Sequence, residues 1–142
     1  MAFNRIPLKH RMLQGDRRSV VLVGDSDPEV RLMLSQLTPP DLYRLQEAAT
    51  PTDLLDQLRF SEVALAVIDS SIMNHSNELQ HYVALCSRRG MPVIVTAPSH
   101  TEDDEIMARG LGCVLYAPKP CSYWVLHQAV TEVLCVSAIG GK

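Results

Sequence analysis

Five times along the chain a strand-like run gives way to a stretch of helical spacing, and the connections between them are short. Val20–Val23, Ala64–Ile68, Met91–Ala97 and Cys113–Tyr116 are apolar runs, while Leu42–Ala48 alternates weakly and reads as a more exposed strand. Between and after them, apolar residues recur on one helical face: Val30, Met33, Leu34 and Leu37; Leu54, Leu55 and Leu58; Leu79, Tyr82, Val83, Leu85 and Cys86; Ile106, Met107 and Leu111; and Trp124, Val125, Ala129, Val130, Val133 and Leu134. Punctuation agrees with this division. Asp27 with Pro28 and Thr50 with Pro51 read as N-cap and first helical position, and the last helix starts near Ser122. Pro39-Pro40, Gly90, and Gly110 with Gly112 read as helix ends. Ser70 to Asn77 reads as a polar loop. Strand–helix alternation of this kind demands an α/β fold, a five-stranded parallel sheet covered on both faces, because right-handed crossovers lay helices on either side.

The 142 residues suit one domain with a full core. The expected divisions are a basic N-terminal tail over 1–18, a folded domain over 19–137 and a short tail over 138–142. In the first tail Arg5, Lys9, Arg11, Arg17 and Arg18 face one acid, Asp16, which fits a solvated arm or one that docks on an acidic partner. A net charge of −3 gives no reason to expect nucleic acid or a membrane surface as partner. Cys86, Cys113, Cys121 and Cys135 lack metal-ligand spacing and read as reduced thiols. The scattered His10, His75, His81, His100 and His127 read as surface or structural residues. With neither a membrane-length apolar run nor a signal-peptide core, the expected location is the cytoplasm.

In a parallel sheet all strands end at one edge, where ligands bind. Asp25 follows the first strand, Asp69 the third, Thr96 the fourth and Lys119 the fifth. Taken alone, Asp69 reads as a cap for the next turn. Taken together, two carboxylates, a hydroxyl and an ammonium describe phosphoryl chemistry. Paired carboxylates attract a hard cation such as Mg²⁺, one of them can attack a phosphoryl donor, and Lys and Thr can donate to the phosphoryl oxygens.

These residues stand in segments that resemble the receiver domain of two-component response regulators, a doubly wound, flavodoxin-like fold. The likeness runs from Ser19 to about Val136. Val21–Pro28 resembles the first strand with its acidic pair, and Ala66–Met73 the strand bearing the phospho-accepting Asp. Val93–Ala97 resembles the strand with the switch Thr, and Gly112–Pro120 the segment with the switch aromatic and the Lys-Pro, whose peptide bond in that family is usually cis. The resemblance implies Asp69 as phospho-acceptor, Lys119 and Thr96 as its partners, and Thr96 with Tyr116 as switch pair. It also implies Mg²⁺ on Asp25, Asp69 and the Ser71 backbone carbonyl, with Ser26 or Asp27 as a further candidate donor. Ser71 and Pro98 would influence water access.

The chain also departs from the pattern. The acidic pair falls on Asp25 and Ser26, so a neutral side chain replaces the second acid, and Asp27 lies one residue further on. The loop after Asp69 carries Ile72-Met73 and Asn77 where the family has Met-Pro and Gly. At an effective dielectric of about 20, a charge ~4 Å from the cation is worth roughly 4 kcal/mol before desolvation, so cation binding is expected to be weakened. Two readings follow. One is a stand-alone receiver, or a piece of a longer protein, phosphorylated by a histidine kinase or histidine phosphotransfer protein. It would signal through a protein contact on the fourth helix, fifth strand and fifth helix, where Tyr116, Tyr123 and Trp124 stand. Its only catalysis would be its own phosphorylation and dephosphorylation. The other is a pseudo-receiver, an interaction module that works without phosphate. A dinucleotide enzyme is disfavoured, because Gly24 stands alone where a Gly-rich loop is required.

Overall fold

The computed structural model describes residues 18–73, 76–98 and 101–140, the side chains of 76–77 and 135–140 excepted. The basic arm except Arg18, together with His10, His75, His100 and the Cys135 side chain, lies outside the described residues. Arg18 donates from Nη1 to the Pro40 carbonyl at 3.0 Å.

Strands β1 (Ser19–Gly24), β2 (Tyr43–Glu47), β3 (Val63–Asp69), β4 (Val93–Ala97) and β5 (Leu115–Pro118) form one sheet in the order β2-β1-β3-β4-β5. Every neighbouring pair is parallel. The helices are α1 (Pro28–Leu37), α2 (Pro51–Phe60), α3 (Ser76–Arg88), α4 (Glu102–Gly110) and α5 (Tyr123–Gly140).

Alternate residues of the central strands enter two separate cores. Val21, Val23, Leu65, Val67 and Ile94 pack against Val30 and Leu34 of α1 and Leu126, Val130 and Leu134 of α5. Val20, Leu22, Ala66, Ile68, Val93 and Val95 pack against Leu54 and Leu58 of α2, Leu79 and Val83 of α3, and Ala108 of α4. Because β3 is covered on both faces, it reads as an unbroken apolar run rather than an alternating one. Each fully buried Leu, Ile or Val contributes ~1.5–3 kcal/mol of transfer free energy, which makes the three central strands a firm platform for their ends.

The caps fall where the sequence places them. Asp27 accepts from Glu29 N at 3.0 Å and Thr50 from Asp53 N at 3.1 Å, each ahead of a first-position proline. Gly90 (φ +68°) closes α3, and Gly112 (φ +102°) turns the chain after α4, both in backbone that side chains disfavour.

Four expectations are corrected. Leu55, Ile106 and Val125 are exposed rather than core-facing, and Gln57 and Leu126 are buried instead. The stretch after Asp69 is more ordered than a loop, since Ser70–Ile72 forms a 3₁₀ turn and α3 begins at Ser76. The fifth strand begins at Leu115, two residues later than expected. Its ladder opens opposite Ile94, and as an edge strand it tolerates Pro118 at its end. Tyr116 is buried in the core beside Val95 and Ala108, not displayed on the surface.

Candidate functional site

The register of the three central strands builds the site. Asp69 pairs with Thr96 across β3 and β4, and Gly24 pairs with Ile68 across β1 and β3, so Asp25, Asp69 and Thr96 emerge side by side at the carboxyl edge. Thr96 pairs in turn with Ala117, two residues before Lys119. Lys119 follows the end of β5, ahead of a cis bond to Pro120.

Lys119 Nζ donates to Asp69 Oδ2 at 2.8 Å and to Asp25 Oδ1 at 2.9 Å, and lies 3.7 Å from Asp27 Oδ2. The Thr96 hydroxyl, fully buried, donates to Asp25 Oδ2 at 2.8 Å. The remaining carboxylate capacity is spent locally. Asp27 N donates to Asp25 Oδ1 and Ser71 N to Asp69 Oδ1, each at 2.9 Å. Asp69 therefore caps the 3₁₀ turn with one oxygen and holds Lys119 with the other. The capping role and the site role coexist in one side chain.

Three carboxylates around one ammonium leave the cluster anionic. Burial alone would lower the Lys119 pKa, but its hydrogen bonds and charge pairing with Asp25 and Asp69 outweigh burial and raise it. The neighbouring Cys121, whose thiol points at the Ala117 carbonyl (3.7 Å), is pushed up by burial; Lys119 opposes this and the three carboxylates add to it.

The site opens on a cavity of about 290 Å³. Asp25, Ser26 and Asp69 line it together with Arg31, Glu47 and Asp53. Ser26 is exposed. The last three residues were not singled out from the sequence. Glu47 ends β2, and the strand-end rule that picks out Asp69 picks it out too; Arg31 stands one helical turn beyond the Asp27 cap. Tyr116, the expected switch aromatic, is in the core rather than in this cluster.

The donors suit a hard cation in kind, with the carboxylates of Asp25 and Asp69 both within 2.9 Å of Lys119 Nζ. They fall short in number. Among the described residues no three His, Cys, Asp or Glu side chains are arranged to hold a metal, and Ser26 supplies no charge where a third acid would help. No described helix is long and apolar enough to cross a membrane.

Comparison with known proteins places the fold. The chain is similar to a response regulator receiver protein from Pseudoalteromonas atlantica (TM-score 0.68, 19% identity, 83% of this chain and 98% of that one). It is equally similar to a response regulator from Thermotoga maritima (TM-score 0.68, 18% identity, the same coverage). The signal receiver domain of an HD domain-containing protein from Pseudomonas fluorescens gives a TM-score of 0.67 at 23% identity, covering 83% of this chain and 95% of that one. In sequence, 100 residues are 28% identical to the response regulator GtcR of Aneurinibacillus migulanus, covering 70% of this chain. That match spans 41% of the relative's length. No protein-family model matches the chain. The sheet order, the all-parallel pairing and these neighbours bear out the receiver fold read from the motifs.

Proposed function

We propose that this receiver-fold domain serves two-component signalling by accepting a phosphoryl group on Asp69. The observation that carries the reading is the position of Lys119 Nζ, within 2.9 Å of both Asp69 and Asp25 at the ends of the central strands. The Asp69 carboxylate attacks phosphorus, an O–P bond forms, and the bond to the donor (an imidazole nitrogen or an acetate oxygen) breaks with its electron pair leaving on the donor. Lys119 is placed to donate to a phosphoryl oxygen, and the Thr96 hydroxyl can do so after leaving Asp25. Asp25 and Asp69 are the groups that would hold a Mg²⁺ ion, with the Ser71 carbonyl as a proposed third donor, and such an ion would offset the charge of acceptor and phosphoryl group.

The donor is a histidine kinase or histidine phosphotransfer protein. The output is a protein contact on α4, β5 and α5, a reading supported by the exposure there of Ile106, Val114, Trp124 and Val125.

Incubation with acetyl phosphate and Mg²⁺ tests the reading by intact mass. The expected result is a gain of about 80 Da, one phosphoryl group, that Asp69→Asn abolishes. An unmodified wild-type chain beside a competent control receiver overturns it. The neutral Ser26 favours one second reading, a phosphorylation-independent interaction module.

A further inference from the structure

The cavity beside Asp69 contains a cation that phosphoryl acceptance by Lys119 and Thr96 does not use. Among the described residues lining it, Arg31 is the only cation, facing the same space as Asp25, Ser26 and Asp69. Its guanidinium is only partly committed. Nη1 meets Glu47 Oε1 at 3.1 Å, while Nε is buried with no hydrogen-bond partner among the described residues. Both members of that pair are substantially exposed (37% and 60%), so the pair is weakly held and easily exchanged. That N–H lacks an acceptor where it is buried, and a turn of the guanidinium away from Glu47 would expose it to a ligand oxygen. Backbone position is fixed, because Arg31 N donates to Asp27 O at 3.1 Å in the first turn of α1, which begins directly after the Asp25–Asp27 loop.

The charges explain why such a group is needed. A phosphoryl group on Asp69 brings close to two negative charges in place of one. Lys119 already divides its donors between Asp25 and Asp69. Ser26 sharpens the point. A carboxylate at that position would pair with Arg31 and repel a phosphoryl group, whereas a hydroxyl leaves the guanidinium available and adds a neutral donor. The planar fork of Arg suits two phosphoryl oxygens better than a point charge does.

We propose that Arg31 is a second cationic ligand for the phosphoryl group at Asp69, or for a phosphate-like anion in its place, exchanging Glu47 for the anion when it arrives. This rests on the acceptor reading of Asp69 and assigns the site an additional binding residue.

Two arms keep the inference and the acceptor reading apart. In the first, wild type, Arg31→Gln, Arg31→Lys and Glu47→Gln are treated with acetyl phosphate and, separately, titrated with beryllofluoride, a phosphoryl mimic. Arg31→Gln is expected to lower beryllofluoride affinity by about tenfold or more, with Arg31→Lys recovering part of it. Glu47→Gln is expected to match or exceed wild type, since it releases the guanidinium. Equal weakening by Arg31→Gln and Glu47→Gln would reduce the pair to a structural link between α1 and β2 and overturn the proposal, as would wild-type affinity in Arg31→Gln. In the second arm, inorganic phosphate is titrated while the Arg31 Nε–H signal is followed by NMR. A shift that saturates supports an anion ligand even in a chain that takes no phosphoryl group, in which case the acceptor reading alone falls. An unmoved signal in a chain that also loses nothing on Arg31→Gln overturns the proposal and leaves the acceptor reading standing.

Discussion

The Thr96 hydroxyl reaches over β3 to donate to Asp25 Oδ2 at 2.8 Å, so the residue that would turn to a phosphoryl group is held by the neighbouring acid instead. Asp25 thereby becomes the hub of the cluster, with Thr96, Lys119 and the Asp27 N–H all converging on its two oxygens. Asp69 has fewer obligations, holding Lys119 and capping the turn at Ser71.

That asymmetry predicts unequal stability effects. Asp25→Ala strips the buried Thr96 hydroxyl of its acceptor, and an unmet buried donor costs about 1–3 kcal/mol. Asp69→Ala leaves the Asp25–Thr96–Lys119 set intact and removes one of the crowded carboxylates. Urea unfolding should place Asp25→Ala about 2 kcal/mol below wild type and Asp69→Ala within about 1 kcal/mol of it. Equal losses would contradict the hub role of Asp25.

Lys119 ties stability to alkaline pH. Its pKa is raised in the folded protein, because pairing with Asp25 and Asp69 outweighs burial. Below the unfolded value, near 10.4 for a lysine, both states hold the proton and the contribution is complete. As pH rises the unfolded chain releases its proton first, and the contribution is lost through the raised folded value. Tyr82 and Tyr116, raised by burial, lose stability in the same alkaline range. Comparison with Lys119→Met cancels their share. The stability difference between wild type and this variant should be constant from pH 7 to about 9.5 and shrink above about 10.5. A difference that stays constant to pH 11 would show that the carboxylates do not hold the ammonium.

Cys86 lies in the core between α3 and the sheet, and burial pushes its thiol up to about 11, with Tyr82 and Arg89 pulling the other way. Since the thiolate is the reactive form, about one thiol in a thousand is ionised at pH 8. Iodoacetamide should label Cys86 at least about 100-fold more slowly in the native protein than in urea, as read by peptide mass. Rapid native labelling would mean that the α3 face opens readily.

What the sequence made legible follows from where burial is two-sided. β3 shows as Ala64–Ile68 because both of its faces are covered, and Asp69 stands out as the first polar residue beyond it. Helix faces are harder to read. A spacing of three or four marks a stripe but not its edges, so Leu55 and Ile106 count as inward although both side chains are exposed. β2 carries little pattern, being a half-buried edge strand, and neither the strand-end residue Glu47 nor its partner Arg31 stands out in the sequence. Asp25, Asp69, Thr96 and Lys119 could be placed on one edge from topology alone. The tie between Thr96 and Asp25 depends on rotamers and cannot be read from spacing.

The start of α5 tests this distinction between a stripe and a core. Trp124 is 73% exposed and stacks only locally, 5.3 Å edge-on to Tyr123 and 5.8 Å from His127, whereas Leu126 two residues on is fully buried against the β1–β3–β4 core. Removing the larger side chain should therefore matter less. Trp124→Ala is expected to shift unfolding free energy by no more than about 0.5 kcal/mol, and Leu126→Ala to lower it by about 2–5 kcal/mol through lost burial and a cavity. The same variants separate fold from output. If α4, β5 and α5 form the partner surface, Trp124→Ala should weaken partner binding at unchanged stability, a combination that a packing role for the indole could not produce.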